Sequence, residues 1–134
     1  MNVRRTLPAL KTSYGSLVNV SSTSARKAMA GQSLDAATKA AVASLTRSWA
    51  LELAPDGVRV NAVAPGPTET AEVAKIPMPK EMLETVRAQI VKQVPLGRMG
   101  TSEEVAHWIV TLSNPKATWM TVQILGIDGG LSVS

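Results

Sequence analysis

Residues 17–39 read LVNVSSTSARKAMAGQSLDAATK, and the fold turns on this stretch. Ser16 to Val20 is a short β-branched and aliphatic run, the pattern of a strand buried on both faces of a parallel sheet. Ser21 to Ser33 is small and polar and contains Gly31, which marks a loop. From Leu34, LDAATKAAVASLTRSWALELA supplies about twenty residues of strong helix formers. This helix opens near Asp35 and carries Lys39 on its first turns. A hydroxyl at a strand's carboxyl end, facing a lysine on the next helix, sits where an open α/β sheet keeps its chemistry.

Upstream, residues 1 to 14 read as the tail of a helix, with Leu7 and Leu10 on one side and Arg4, Arg5 and Lys11 elsewhere. Pro8 restricts that helix, because proline fits best near a first turn. Tyr14-Gly15 punctuates it, Gly15 being a natural stop. Downstream, Ala37, Ala41, Leu45, Trp49 and Leu53, with Val42 alongside, predict the buried stripe of the long helix. Pro55-Asp56-Gly57 turns the chain. VRVNAVA (58–64) is the second strand, stopped by Pro65-Gly66-Pro67, which leaves Thr68 and Thr70 in the loop at its carboxyl end. EMLETVRAQIVKQV (81–94) predicts a helix with Met82, Val86, Ile90 and Val91 inward. Thr101 to Glu104 fits a capping box for a helix reaching about Leu112. VQILGID (122–128) is the third strand, and Asp128-Gly129-Gly130 reads as a turn. Strands separated by helices imply an α/β fold: a partial doubly wound, Rossmann-type parallel sheet of about three strands, with flanking helices and right-handed crossovers. Residues 1–134 are expected to form one domain.

Composition narrows the function classes. The chain has 134 residues, 45% of them apolar, enough to fill a single core. Its net charge of +4 is scattered, with one Tyr, no Phe and no aromatics interleaved among Lys and Arg, so no nucleic-acid partner is expected. Cysteine is absent, and the lone His107 and dispersed carboxylates show no metal-ligand spacing. No apolar run follows the charges at the amino end, and no segment approaches the ~20 apolar residues that span a bilayer. The expectation is a soluble, cytoplasmic protein without a membrane partner.

LVNVSS, then ATKAAVASLTRSWALELAPDGVRVNAVAPGPTET, then PLGRMGTSEEVAHWIVTLS and ILGIDGG run in order over nearly the whole chain. Together they resemble the carboxyl-terminal half of short-chain dehydrogenase/reductases, closest to the group of β-ketoacyl-reductase-like and sugar- or steroid-alcohol dehydrogenases. By that resemblance the three strands match the fifth, sixth and seventh of a seven-stranded sheet. Ser22 matches the family's catalytic serine, which hydrogen-bonds the substrate's carbonyl or hydroxyl. Lys39 matches the lysine that binds the nicotinamide ribose and lowers the pKa of a catalytic tyrosine. Pro65 and Gly66 match residues that shape the cofactor loop, and Thr68 and Thr70 match residues that meet the carboxamide. The implied cofactor is NAD or NADP, and the implied substrate a small-molecule alcohol or carbonyl.

The family tyrosine stands four residues before the lysine and thirteen after the serine, and both counts land on Asp35. Tyrosine ionises near pH ~10 and can be tuned toward neutrality as a proton donor; aspartate ionises near ~3.9, and a lysine favours its anion further. An ionised carboxylate cannot protonate a nascent alkoxide. Asp35 reads instead as the N-cap of the long helix, and Tyr14 lies too early in the chain to replace the tyrosine. No GxxxGxG or GxGxxG occurs, and neither Asn2 nor Asn19 sits at the place of the family's catalytic asparagine. Thr121-Val122-Gln123 replaces the usual Thr-Gly-Gln, and valine resists the positive φ that glycine permits, so a changed local backbone is expected.

Each of these residues also has a plain structural role open to it. Ser22 can satisfy loop amides, Lys39 can lie on a solvated helix face, and Trp49, Trp108 and Trp119 can be core or interface. The resemblance therefore implies an NAD(P)-dependent oxidoreductase by descent, inactive as this isolated chain. The alternative is a non-catalytic, truncated homologue that self-associates. A homo-oligomer, dimer or tetramer, is implied through the helices matching Pro8–Lys11 and Leu34–Leu53, or through the last helix and strand.

Overall fold

The computed structural model describes residues 3–71, 75 and 77–134; Asn2 lies outside them, as do the side chains of Val3 and Arg4. Three parallel strands, β1 (Ser16–Val20), β2 (Arg59–Pro65) and β5 (Ile124–Ile127), form a sheet with β2 at its centre. Leu17 registers with Val60, and Val63 with Leu125. Being central, β2 is the most deeply buried: Val60 through Ala64 are each 0% exposed. Continuous burial is what its unbroken small and β-branched sequence is built for. Two further strands, β3 (Thr68–Glu69) and β4 (Gly100–Thr101), pair in parallel beside this sheet. They are too short to carry a sequence signal.

The pleat of β1 and β2 separates two helical layers. On one face, Leu17 and Val60 pack with Val58 and with Ala50 and Leu53 of α2 (Ser33–Leu53). Leu7 and Leu10 of α1 (Val3–Thr12) close over that cluster, while Pro8 between them is exposed and costs the helix one amide. On the other face, Ser16 Oγ and Arg59 Nη1 both donate to the Leu112 carbonyl, at 3.2 and 3.0 Å. That carbonyl belongs to the last turn of α4 (Ser102–Ser113). Both crossovers step the same way along the sheet, yet their helices lie on opposite faces, so they have opposite hands. The expectation of right-handed crossovers throughout fails here. The connection from β2 to β5 also carries α3 (Lys80–Gln93) and the β3–β4 pair, so β2 does not feed directly into α4, and the steric rule assumes that the first strand of the pair does.

Two predicted helix faces are corrected. The buried residues of α2 are Ala43, Thr46, Ala50 and Leu53. Ala37, Ala41 and Leu45 are exposed, and of the proposed stripe only Leu53 is buried, with Val42 and Trp49 half-buried. An Ala-rich helix has little contrast between its faces, so periodicity reads it poorly. Likewise α3 buries no residue: Met82 and Val86 are exposed, and Ile90 and Val91 are half-buried. By contrast the capping box of α4 is present in full. Glu104 N–H donates to Thr101 Oγ1, and Thr101 N–H donates to Glu104 Oε2.

Among the described residues, positive φ falls on two that are not glycine, Tyr14 at 50° and Val122 at 67°. At the end of α1, Tyr14 rather than Gly15 takes the left-handed conformation. Gly15 sits close to α1, where a Cβ would lie 2.6 Å from Leu10 Cδ2, the movable end of that side chain, and 3.3 Å from Leu10 Cα. Val122 keeps the backbone that glycine would adopt, contrary to the changed geometry expected from the sequence. Its amide donates to the Val60 carbonyl at 2.9 Å and its side chain packs against the core cluster. Those contacts hold a β-branched residue where it is strained.

Candidate active site

The carboxyl ends of β1 and β2 and the start of α2 bring most of the candidate residues together. Ser21 extends the ladder, its amide donating to the Val63 carbonyl at 2.8 Å, and its hydroxyl donates to the Lys39 carbonyl at 2.9 Å. One buried serine thus locks the strand end to the second turn of α2. Farther back, Asn19 Nδ2 donates to Thr46 Oγ1 at 2.9 Å, fixing the same helix against β1. Sequence reasoning singled out Ser22 and passed over Ser21, whose neighbourhood of hydroxyls is the usual signal of side-chain-to-backbone bonding.

Ser22 is half-buried and caps a 3₁₀ turn at Thr23–Ala25, its Oγ accepting from the Ser24 amide at 3.1 Å. That is the plain role, and it leaves the hydroxyl proton of Ser22 free to point at a ligand. Thr23 Oγ1 donates to the Pro65 carbonyl at 3.3 Å, joining this turn to the loop after β2.

Asp35 is not the N-cap of α2. That position is Gln32, which makes no side-chain cap, and Asp35 lies in the first helical turn. Its Oδ2 accepts the Ser24 hydroxyl at 2.9 Å. A carboxylate in the first turn is favoured by the helix dipole in any case. Lys39, one turn further along, is half-buried, and no hydrogen bond or ion pair joins its ammonium to a described residue. Tyr14 precedes β1 and packs on Gly57 before β2, at the opposite end of the sheet.

The loop after β2 is tightly held. Gly66 N–H donates to the Ile127 carbonyl at 3.0 Å, and a Cβ at Gly66 would lie 2.7 Å from Asp128 Cβ. Only glycine lets β5 close on the loop there. Thr68 is half-buried and donates to the Gly66 carbonyl at 3.0 Å, while Thr70 is exposed. Asp128 carries partial burial that would raise its pKa. Bonds from Ser132 and Gly130, with the Arg26 charge nearby, outweigh it and hold the carboxyl below its usual range. An open groove bordering this loop is lined by Pro67, Arg98, Trp108, Gly126 and Asp128, among others. Ser22, Asp35 and Lys39 do not line it, so chemistry rather than cavity size locates the candidate site.

A parallel α/β sheet with a serine loop and a lysine at its carboxyl end is a Rossmann-type scaffold with polar groups where such folds hold ligands. Comparison with known proteins agrees. The family described as enoyl-(acyl carrier protein) reductase matches residues 1–132. The chain belongs to the short-chain dehydrogenase/reductase family. It is similar to the 3-oxoacyl-(acyl-carrier-protein) reductase of Thermotoga maritima, 44% identical over 124 residues, which are 92% of this chain and 48% of that protein. It is also similar to the cis-4-hydroxycyclohexanecarboxylate dehydrogenase of Sinomonas cyclohexanicum, 43% identical over 116 residues, 87% of this chain and 44% of that one. The structure of ElxO with NADP bound matches with a TM-score of 0.86 at 32% identity, over 96% of this chain and 51% of that chain. The chain spans about half the length of these relatives.

Proposed function

We propose that the chain keeps the substrate-facing and nicotinamide-facing part of an NAD(P)-dependent alcohol/carbonyl oxidoreductase but, as this isolated chain, does not turn over. The observation that carries this reading is Asp35 at the family's tyrosine position, its carboxylate accepting a hydroxyl rather than offering a proton.

The residues present fit one end of the cofactor. Lys39 has an ammonium uncommitted among the described residues, suited to the hydroxyls of a nicotinamide ribose. Thr68, whose proton goes to Gly66, keeps lone pairs for a carboxamide N–H, and exposed Thr70 is free to join it. The nicotinamide, when bound, supplies or accepts the hydride. Pro65 and Gly66 hold the loop against β5, and Ser22 donates to the substrate oxygen. No group in this set delivers the proton that a reduced carbonyl requires.

In the second reading the chain is a non-catalytic, self-associating homo-oligomer, a dimer or tetramer. It is favoured by the exposed apolar side of α2, where Leu34 is 79% and Leu45 45% exposed, and by β1, which pairs on one edge only among the described residues. A cytoplasmic setting belongs to the same proposal; among the described residues no helix is long and apolar enough to cross a membrane.

Titration of the chain with NADPH, followed by nicotinamide fluorescence and thermal shift, tests the first reading. Saturable binding that is lost in Lys39→Ala is expected; no response would overturn cofactor binding by this chain. Sedimentation tests the second, where a stable folded monomer would overturn it.

A further inference from the structure

The loop that bears Ser22 reaches farther than the site needs. Beyond the 3₁₀ turn, Arg26 Nη2 donates to the Ile124 carbonyl at the start of β5. Next to it, Lys27 Nζ donates to the Leu131 carbonyl at 3.0 Å, the Ser134 main-chain oxygen at 2.8 Å and Ser134 Oγ at 3.3 Å. All three ammonium protons are therefore placed, and they are placed on one short segment more than a hundred positions away, by the separations of 104 and 107 residues. Such full use of a lysine is unlike a solvated surface charge, for which three fixed partners would cost side-chain entropy without return.

The receiving segment is itself well ordered. Asp128 gathers the amides of Gly130 and Ser132 at 2.9 and 3.0 Å, and Leu131 is 2% exposed. Gly129 and Gly130 both take positive φ, so the turn is set by backbone geometry as well as by bonds. On the donor side, the amides of Arg26 and Lys27 both donate to the Thr23 carbonyl at 2.9 Å. The two cations are thus one rigid step from the turn that Ser22 caps.

We propose that Arg26 and Lys27 strap the Ser22 loop to the turn at residues 128–133, so that the two segments order together and Lys27 is a positioning residue for Ser22. The strap touches all three strands: β1 ends in the loop, Thr23 reaches Pro65 at the end of β2, Arg26 reaches the start of β5, and Lys27 reaches the turn beyond it. The value of holding Ser22 rests on the reading of Ser22 as the substrate-facing hydroxyl. The mechanical coupling does not depend on it.

Hydrogen–deuterium exchange on the full chain, without cofactor, tests the coupling for wild type, Lys27→Met and Lys27→Arg. Loss of charge-assisted bonds should speed exchange about tenfold or more in local openings. In Lys27→Met the amides of Ser24, Arg26 and Lys27 and those of Gly130 to Val133 should accelerate together. Val60 to Ala64 should be unchanged, and Lys27→Arg should restore protection. Acceleration confined to one of the two segments, or spread equally through Val60 to Ala64, would overturn the strap. If Lys27→Met fails to fold, Ser134→Ala with Arg26→Gln loosens the same links and is read in the same way. An NADPH titration of wild type separates the two claims: exchange that moves in Lys27→Met while wild type shows no cofactor response keeps the strap and removes the cofactor reading.

Discussion

Ser24 donates its hydroxyl to Asp35 across 2.9 Å, tying the serine loop to the first turn of α2. Ser24 is 5% exposed, whereas Asp35 faces solvent. The same serine gives its amide to Ser22 Oγ, so Asp35 acts on Ser22 through Ser24. A hydrogen bond to a solvated carboxylate is worth about 1 kcal/mol. A double-mutant cycle with Ser24→Ala and Asp35→Ala, read by urea unfolding, should return a coupling of about 0.5–1.5 kcal/mol.

Val122→Gly should change stability little. Relief of the left-handed strain is worth about 1–3 kcal/mol, against about 0.5–1 kcal/mol for the greater freedom of glycine in the unfolded chain and about 1 kcal/mol for the half-buried isopropyl group lost from the core cluster. The opposing effects nearly cancel, so the Tm should move by no more than about 5 °C. Thermal unfolding by circular dichroism checks the balance.

Two glycines should respond differently to alanine. At Gly66 the new Cβ meets Asp128 Cα at 2.8 Å and Cβ at 2.7 Å, backbone and stem atoms that cannot swing aside. The overpacking should cost about 1–3 kcal/mol and loosen the Pro65–Thr68 loop. Gly100 has nothing closer than 3.7 Å, and Gly100→Ala should be nearly neutral. Equilibrium unfolding of the pair provides the comparison.

Acid should release the start of α4 before the sheet. The Arg98 guanidinium and the Thr101 amide lower the Glu104 carboxyl from near 4.5 to about 2. A depressed carboxylate contributes stability that is fully present above its unfolded pKa and is lost as pH falls through the folded one. The window is therefore about pH 4.5 down to 2. Both groups are solvent-exposed, so the effect is local. Helical circular dichroism should fall across that window in wild type and be flat in Glu104→Gln.

Strong local signals were readable in advance. The β-branched runs of β1 and β2, the helix formers of α2 and the Thr101–Glu104 capping box each depend on residues close in sequence. The buried side of α2 was not, because Ala37 and Ala43 differ only in what lies across from them. Nor were the faces of α3, whose Met82 and Val86 find no partner that buries them among the described residues. The family resemblance, counted residue by residue, put Ser22, Asp35 and Lys39 in one constellation. It did not show that Asp35 answers Ser24, or that Lys27 crosses to residue 131, because both links are made by side chains across a loop. Val122 was recognised as a misfit, but the core decides how a misfit is absorbed.

The most direct measurement is NADPH consumption by the wild-type chain against a panel of β-keto esters and simple ketones at neutral pH. With Asp35 at the proton-donor position, the expected rate is that of the protein-free control. A saturable rate that disappears in Asp35→Asn would contradict the account, because it would make Asp35 a working acid in the reaction.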